Sequence, residues 1–157
     1  MDLKLELLVL PVSDVDRAKA FYEALGFRLD VDYTANEEFR VVHFTPPGSE
    51  CSIIFGDGMT NAAPGSTQGL YLIVSDVEQA RAELVARGIE VSEIFHDAGG
   101  LLHHGHDAGD AVHDGPGQKR LAGLHTDRAS YGSYLTFSDP DGNGWLLQEI
   151  KQRLAGR

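Results

Sequence analysis

Two stretches of the chain share one arrangement of apolar and polar positions, sixty-two residues apart: VSDVDRAKAFYEALG (Val12 to Gly26) and VSDVEQARAELVARG (Val74 to Gly88). They align without a gap. Ahead of each lies an alternating apolar run, LELLVLPV and GLYLIV, with the two-residue period of a strand. Behind each Ser-Asp pair the period lengthens: Val15, Ala18, Phe21, Tyr22 and Leu25, and then Val77, Ala80, Leu84 and Val85, recur at helical spacing. Asp14 and Asp76 suit the N-cap position, because a carboxylate accepts from the free amides of a first helical turn. Gly26 and Gly88 stand where a helix closes on a left-handed residue. After each glycine come short strand candidates: FRLDVDY, FRVVHFTP and CSIIFG in the first half, IEVSEIF, YGSYLTFS and WLLQEIK in the second. TANEE and PGSE separate strands in the first half, and DPDGNG is a tight turn between the last two.

This pattern predicts an α+β fold of two βαβββ modules, with residues 1–56 the first, 57–68 a linker and 69–151 the second. Such a module leaves one sheet face that its single helix does not cover. Two of them can oppose those faces as paired curved mixed sheets around a cup-shaped cleft, all within one domain spanning 1–157. Strand parity then assigns the lining. Leu8 and Leu10 face the helix, leaving Leu5, Leu7 and Val9 for the cleft; Gly69, Tyr71 and Ile73 point inward from the fifth strand, and Leu146 and Gln148 from the last. Trp145 and Glu149 fall on the opposite face. His43, in FRVVHF, fits either a structural or a ligand-binding place.

Composition narrows the partners. Twenty-four acidic residues against thirteen basic give a net charge of −11, which argues against nucleic acid and suits a cationic small molecule or simply a solvated acidic surface. No apolar run approaches a membrane span and no signal peptide is visible, so the expected location is cytoplasmic. The lone cysteine, Cys51, opens a strand candidate and reads as a packing residue in a reducing compartment. The other six histidines lie between His96 and His125, in a glycine-rich stretch within an expected loop at about 97–129. His103, His104 and His106 are close enough for two of them, His103 and His106, to meet one divalent metal. Equally, Leu101 and Leu102 of GGLLHH can cover a cleft while His103 and His104 offer donors to a ligand, or the histidines simply titrate in solvent. DPDGNG mimics the start of a calcium loop, but its twelfth position is Ile150 rather than a carboxylate. No phosphate-cradling glycine motif and no serine-nucleophile elbow is present.

The paired modules, VSDVDRAKAFYEALGF near the start and SDPDGNGWLLQEI near the end together resemble the vicinal-oxygen-chelate superfamily of glyoxalase I, extradiol dioxygenases, fosfomycin-modifying enzymes and bleomycin-resistance proteins. The resemblance covers nearly the whole chain apart from the loop after Asp97. It implies a metal held on four strands by His or Gln and then Glu in each half. The first ligand lies seven residues before the aspartate of the helix cap, which here is Leu7 and, in the second copy, Gly69. The last lies four residues after the glycine of DPDG, which is Leu146, and the fourth falls around Ile53 to Phe55. None of these side chains ligates a metal. A register slip of one residue would bring Glu6 to the first position, with Leu5, Leu7 and Val9 turned away.

The expectation is therefore a glyoxalase/bleomycin-resistance-like protein that binds a small organic molecule without a metal cofactor, sequestering or conferring resistance to a cationic compound. The alternative is a metal-dependent glyoxalase-like lyase or dioxygenase with a displaced site that draws on the histidine-rich loop. Members of the family commonly pair, and the linker Gly56 to Gln68 is long enough for pairing within one chain or between two, so a homodimer is expected.

Overall fold

The computed structural model of the chain describes residues 1–97, 120–153 and 155, and within them each repeat builds a mixed sheet with one helix. The first set is β1 (Leu7–Val9), α1 (Val15–Leu25), β2 (Arg28–Asn36), β3 (Phe39–Thr45) and β4 (Ser52–Phe55). The second is β5 (Leu70–Val74), α2 (Val77–Ala86), β6 (Phe95–Asp97), β7 (Arg120–Ala122), β8 (Tyr134–Ser138) and β9 (Gly144–Glu149). The sheets run β1-β4-β3-β2 and β5-β9-β8-β6-β7. In both, the strand entering the helix pairs in parallel with the last strand, and the remaining pairs are antiparallel.

The strands differ from the sequence expectation in three places. β2 runs on through Asn36, so that only Glu37 and Glu38 form the turn within TANEE. IEVSEIF is a strand only at its end. The amide of Thr136 donates to the Ser92 hydroxyl, and the Ser92 carbonyl accepts from the Arg81 guanidinium, which breaks the regular ladder before Phe95. Third, β7 lies within the stretch expected to be loop, pairing Arg120, Leu121 and Ala122 against Asp97, His96 and Phe95.

The fold divides into two compact units, Met1–Thr67 with Asp139–Asn143, and Gln68–Ser138 with Gly144–Arg157. In the first unit Asp14 caps α1 by accepting from the Arg17 amide at 2.9 Å, and Gly26, at φ +93°, closes it in the left-handed region where a Cβ is unwelcome. Tyr22 lies wholly buried under α1, its ring 5.5 Å from that of Phe55 and 6.1 Å from that of Phe44. Its hydroxyl donates to Asp139, a residue of the β8–β9 turn, at 3.0 Å.

That turn is the polar centre of the unit. Asn143 is fully buried; its Nδ2 donates to the Pro11 carbonyl at 2.9 Å and to Asp139 at 2.7 Å, while its Oδ1 accepts from the Thr67 amide at 3.1 Å. Asp141 accepts from Ser13 and from Arg17. Gly65 passes so close that a Cβ there would sit 2.0 Å from the Asp141 carbonyl oxygen, and its φ of +75° suits glycine independently. Asp139, Asn143 and the Oδ1 of Asp141, which mimic a calcium loop in sequence, are thus spent on the chain's own groups, while Asp141 Oδ2 is buried without a hydrogen-bond partner.

In the second unit Phe137 and Trp145 stack in parallel 6.0 Å apart on the α2 side of the sheet. Glu149, at the end of β9, is fully buried and accepts from the Val77 amide at the start of α2 at 3.1 Å. Arg128 donates to the same carboxylate at 2.9 Å and reaches Glu78 at 2.8 Å. A buried carboxylate is tolerated because a guanidinium and the positive end of a helix both face it.

Two stability predictions come from these networks. Replacing Asn143 with alanine strands the Thr67 amide and leaves the Pro11 carbonyl with only the Gly65 amide; a stranded group costs roughly 1–3 kcal/mol, so urea titration should show a loss of about 2 kcal/mol. Asp32 joins α1, β2 and β3 by accepting from Arg40 at 3.0 Å and from Lys19 at 2.9 Å. Those hydrogen bonds, Arg40 first, lower its pKa to about 2. A depressed carboxylate stabilises the fold above its unfolded pKa near 4 and loses that contribution as pH falls through 2. Asp32→Asn should therefore reduce the loss of stability between pH 5 and pH 2 by on the order of 1 kcal/mol, the discount from the full shift reflecting solvent screening of a partly exposed pair.

Candidate functional site

Strand alternation sorts each sheet into a face under its helix and a face turned away from it. In the second unit Tyr71 pairs with Leu146, Ile73 with Gln148, and Tyr134 with Gln148, so Tyr71, Ile73, Leu146, Gln148 and Tyr134 share the face away from α2. Glu149 points to the start of α2, on the opposite face. The register thus brings Tyr71, Leu146 and Gln148 together as the parity argument expects, but their accessibility differs. Leu146 is fully buried in a cluster with Phe95 and Tyr134 and forms the floor of this face. Gln148 is also buried, its amide nitrogen 3.3 Å from both the Tyr131 carbonyl and the Tyr134 hydroxyl. Tyr71 and Ile73 stand proud of that floor at 39% and 46% exposure. Partial burial pushes the Tyr71 phenol up, so its hydroxyl is a proton donor at neutral pH. Gly69 precedes β5 with φ +73°, a turn conformation, so strand alternation does not set its place.

In the first unit Phe44 and Phe55 pack on Tyr22, which leaves their neighbours His43, Thr45, Ser52 and Ile54 on the far face. Leu7 stands opposite Ser52, and Val9 and His43 both oppose Ile54. This register keeps Leu7 on the face turned from α1 and leaves Glu6 exposed beyond the end of β1. The face carries a chain of polar groups. Ser52 and Thr45 are hydrogen-bonded through their hydroxyls at 2.8 Å, Thr45 donates to Asp30, and Arg28 donates to the same carboxylate at 2.6 Å. The Arg28 hydrogen bond, followed by that of Thr45, holds the Asp30 carboxyl below its ordinary range. Beside this chain the Nε2 of His43 is shielded from solvent and has no hydrogen-bond partner.

Ser52, Thr45 and Asp30 escape a reading of the sequence. Asp30 reaches this face only through the irregularity in β2 between Leu29 and Val31, which no local pattern announces. Cys51, just outside β4, is partly exposed and hydrogen-bonded through sulfur to the Ser52 carbonyl at 3.7 Å.

Leu7, Gly69, Leu146 and the apolar run Ile53 to Phe55 offer no side-chain donor to a metal, so these positions do not fit the group that the resemblance implies. Among the described residues no three His, Cys, Asp or Glu side chains gather as a metal-binding group. His103, His104 and His106, with Leu101 and Leu102, lie outside the described residues. His96 and His125, at the borders of that stretch, set their rings edge to face at 6.0 Å, and His96 Nδ1 lies 3.0 Å from the Gly123 carbonyl. On the helix side of the second unit a shallow hollow of about 250 Å³ is lined by Val74, Ser75, Asp76, Gln79, Ala80 and Glu83. Its most buried carboxylate is occupied, since Asp76 caps α2 through the Glu78 and Gln79 amides. Among the described residues no helix is long and apolar enough to cross a membrane.

Comparison with known proteins places this geometry. The chain is similar to the crystal structure of TnmS3, an antibiotic binding protein from Streptomyces sp. CB03234, at 27% identity over 95% of this chain and 97% of that one, with a TM-score of 0.64. A glyoxalase/bleomycin resistance protein from the same organism matches at 28% identity over 93% and 100% of the two chains, with a TM-score of 0.61. A superfamily member from Sphaerobacter thermophilus DSM 20745, at 24% identity over 94% and 98% and a TM-score of 0.62, shares the fold. No curated protein matches the chain. The family model described as Glyoxalase/Bleomycin resistance protein/Dioxygenase superfamily matches residues 4–147. With that match over two mixed sheets of the same architecture, the chain belongs to the glyoxalase/bleomycin resistance protein/dioxygenase superfamily.

Proposed function

We propose that this chain binds a small organic molecule and holds it without a metal cofactor, as a sequestering or resistance protein. The observation that carries the reading is the side chains at the family's ligand positions: Leu7 and Leu146 are hydrocarbon and Gly69 has no side chain, so none of them can ligate an ion. The likeness to a neighbour described as an antibiotic binding protein supports the same class. The net charge of −11 favours a cationic compound through long-range attraction. In this reading Leu7, His43, Tyr71 and Gln148 contribute to binding, and the protein works in the cytoplasm, where the single thiol stays reduced.

The test is calorimetric titration of chelator-treated, untagged protein with a panel of antibiotics that includes cationic bleomycin. Saturable binding is expected, and Tyr71→Ala should weaken it by about 1–3 kcal/mol through lost ring contact. Absence of binding across the panel would count against the reading. A transition metal near one per chain that disappears when His103 and His106 are replaced would favour the alternative, a lyase or dioxygenase with a displaced site.

The working form in this proposal is a homodimer. Leu5, Val9, Val31, Tyr33, Tyr71 and Ile73 are all more than a third exposed, an apolar share that association would cover. Sedimentation at micromolar concentration should return twice the chain mass; a monomer would refute the pairing.

A further inference from the structure

The face of the first unit turned away from α1 is organised as two rows across the sheet. One runs Val9, Ile54, His43 and Val31; the other runs Leu7, Ser52, Thr45 and Arg28. Half of these side chains are apolar, and Val9 and Val31 are 37% and 41% exposed. Polar groups that could engage a guest are confined to one patch, where His43 lies diagonally across from Ser52. Diagonal neighbours on adjacent strands are about 7–8 Å apart at Cα, within reach of a side chain as long as histidine or of one small group set between them.

The hydrogen-bond directions along this patch are determined by proton counting. Asp30 is held as an acceptor by Arg28, so the Thr45 proton goes to Asp30. With its only proton committed, Thr45 can meet Ser52 only as an acceptor, and the Ser52 proton goes to Thr45. The Ser52 oxygen is left with lone pairs and no proton to give. His43 Nε2, unpartnered and shielded, needs a partner as well. A guest that serves both must donate to Ser52 and must either accept from or donate to the imidazole.

We infer that His43 and Ser52 form an anchoring subsite for a hydroxyl group carried on an apolar body, such as a phenol or an enol. A hydroxyl donates its proton to Ser52 and offers its lone pair to His43 Nε2–H. A carbonyl leaves Ser52 unsatisfied, and a hydrocarbon leaves both. Leu7, Val9 and Ile54 flank the patch and supply contact for the apolar body. This inference rests on the small-molecule-binding reading above and names the chemical handle of the ligand.

The test compares 2-naphthol with naphthalene by equilibrium dialysis against the full chain. Wild-type protein should prefer the naphthol by about tenfold, the yield of two modest net hydrogen bonds. Ser52→Ala and His43→Phe should each cut that preference to roughly threefold or less. His43→Gln, whose amide nitrogen reaches a similar point, should retain most of it, which separates a lost hydrogen bond from a damaged fold. Equal binding of the two probes by the wild type, or a preference that survives both deleting variants, would overturn the hydroxyl subsite while leaving small-molecule binding intact. Binding of neither probe would overturn it too, and the antibiotic titration would then judge the broader reading alone.

Discussion

The amide of Asn143 is the contact on which the first unit depends. One side chain answers the Pro11 carbonyl, the Thr67 amide and the Asp139 carboxylate, and all of it happens out of water. These partners lie at the exit of β1, at the end of the segment that follows β4, and within the turn itself. The Thr67 amide would lose its acceptor without Asn143, while the Pro11 carbonyl would keep only the Gly65 amide and Asp139 would keep Tyr22 and the amides of its own turn. Asp139 extends the arrangement to the helix by accepting from Tyr22, whose ring fills the centre of the aromatic cluster. A polar turn therefore fixes the apolar core above it, and the core face fixes by alternation what the opposite face displays.

The second unit solves the same corner differently. There a strand-end carboxylate, Glu149, reaches the first amide of α2, and Arg128 balances its charge. In both units an acidic side chain from far along the chain reaches the junction between the entering strand and its helix: Glu149 lies 72 residues beyond Val77, and Asp141 lies 128 beyond Ser13. The duplication preserved the place of the junction but not the chemistry that closes it.

How much of this could be read in advance depended on whether the signal was local. The helices, their aspartate caps and their glycine stops were legible, because each follows from side chains within a turn of where they act. Strand parity placed Tyr71 with Leu146 and Gln148 correctly, since a period of two carries through any regular pairing. It did not reveal that Leu146 is floor while Tyr71 is surface, which the neighbours Phe95 and Tyr134 decide. Strand lengths were misjudged where a side chain intervened in the ladder, as Ser92 does. The polar chain from Ser52 to Asp30 was invisible, because it joins three strands through an irregularity that belongs to the pairing and not to the sequence of any one strand.

The order in which the chain is made gives the Asn143 turn a further meaning. A ribosome delivers the first sixty-seven residues long before Asp139 to Asn143 emerge, and until then the Thr67 amide and the Tyr22 hydroxyl lack the partners that the turn supplies. The leading module can collapse around Phe44 and Phe55 in that interval, yet it cannot finish. Its completion is deferred to nearly the last residues of the second repeat, so the two repeats do not mature as independent copies. Severing them into separate genes would take from the first the five residues that complete it.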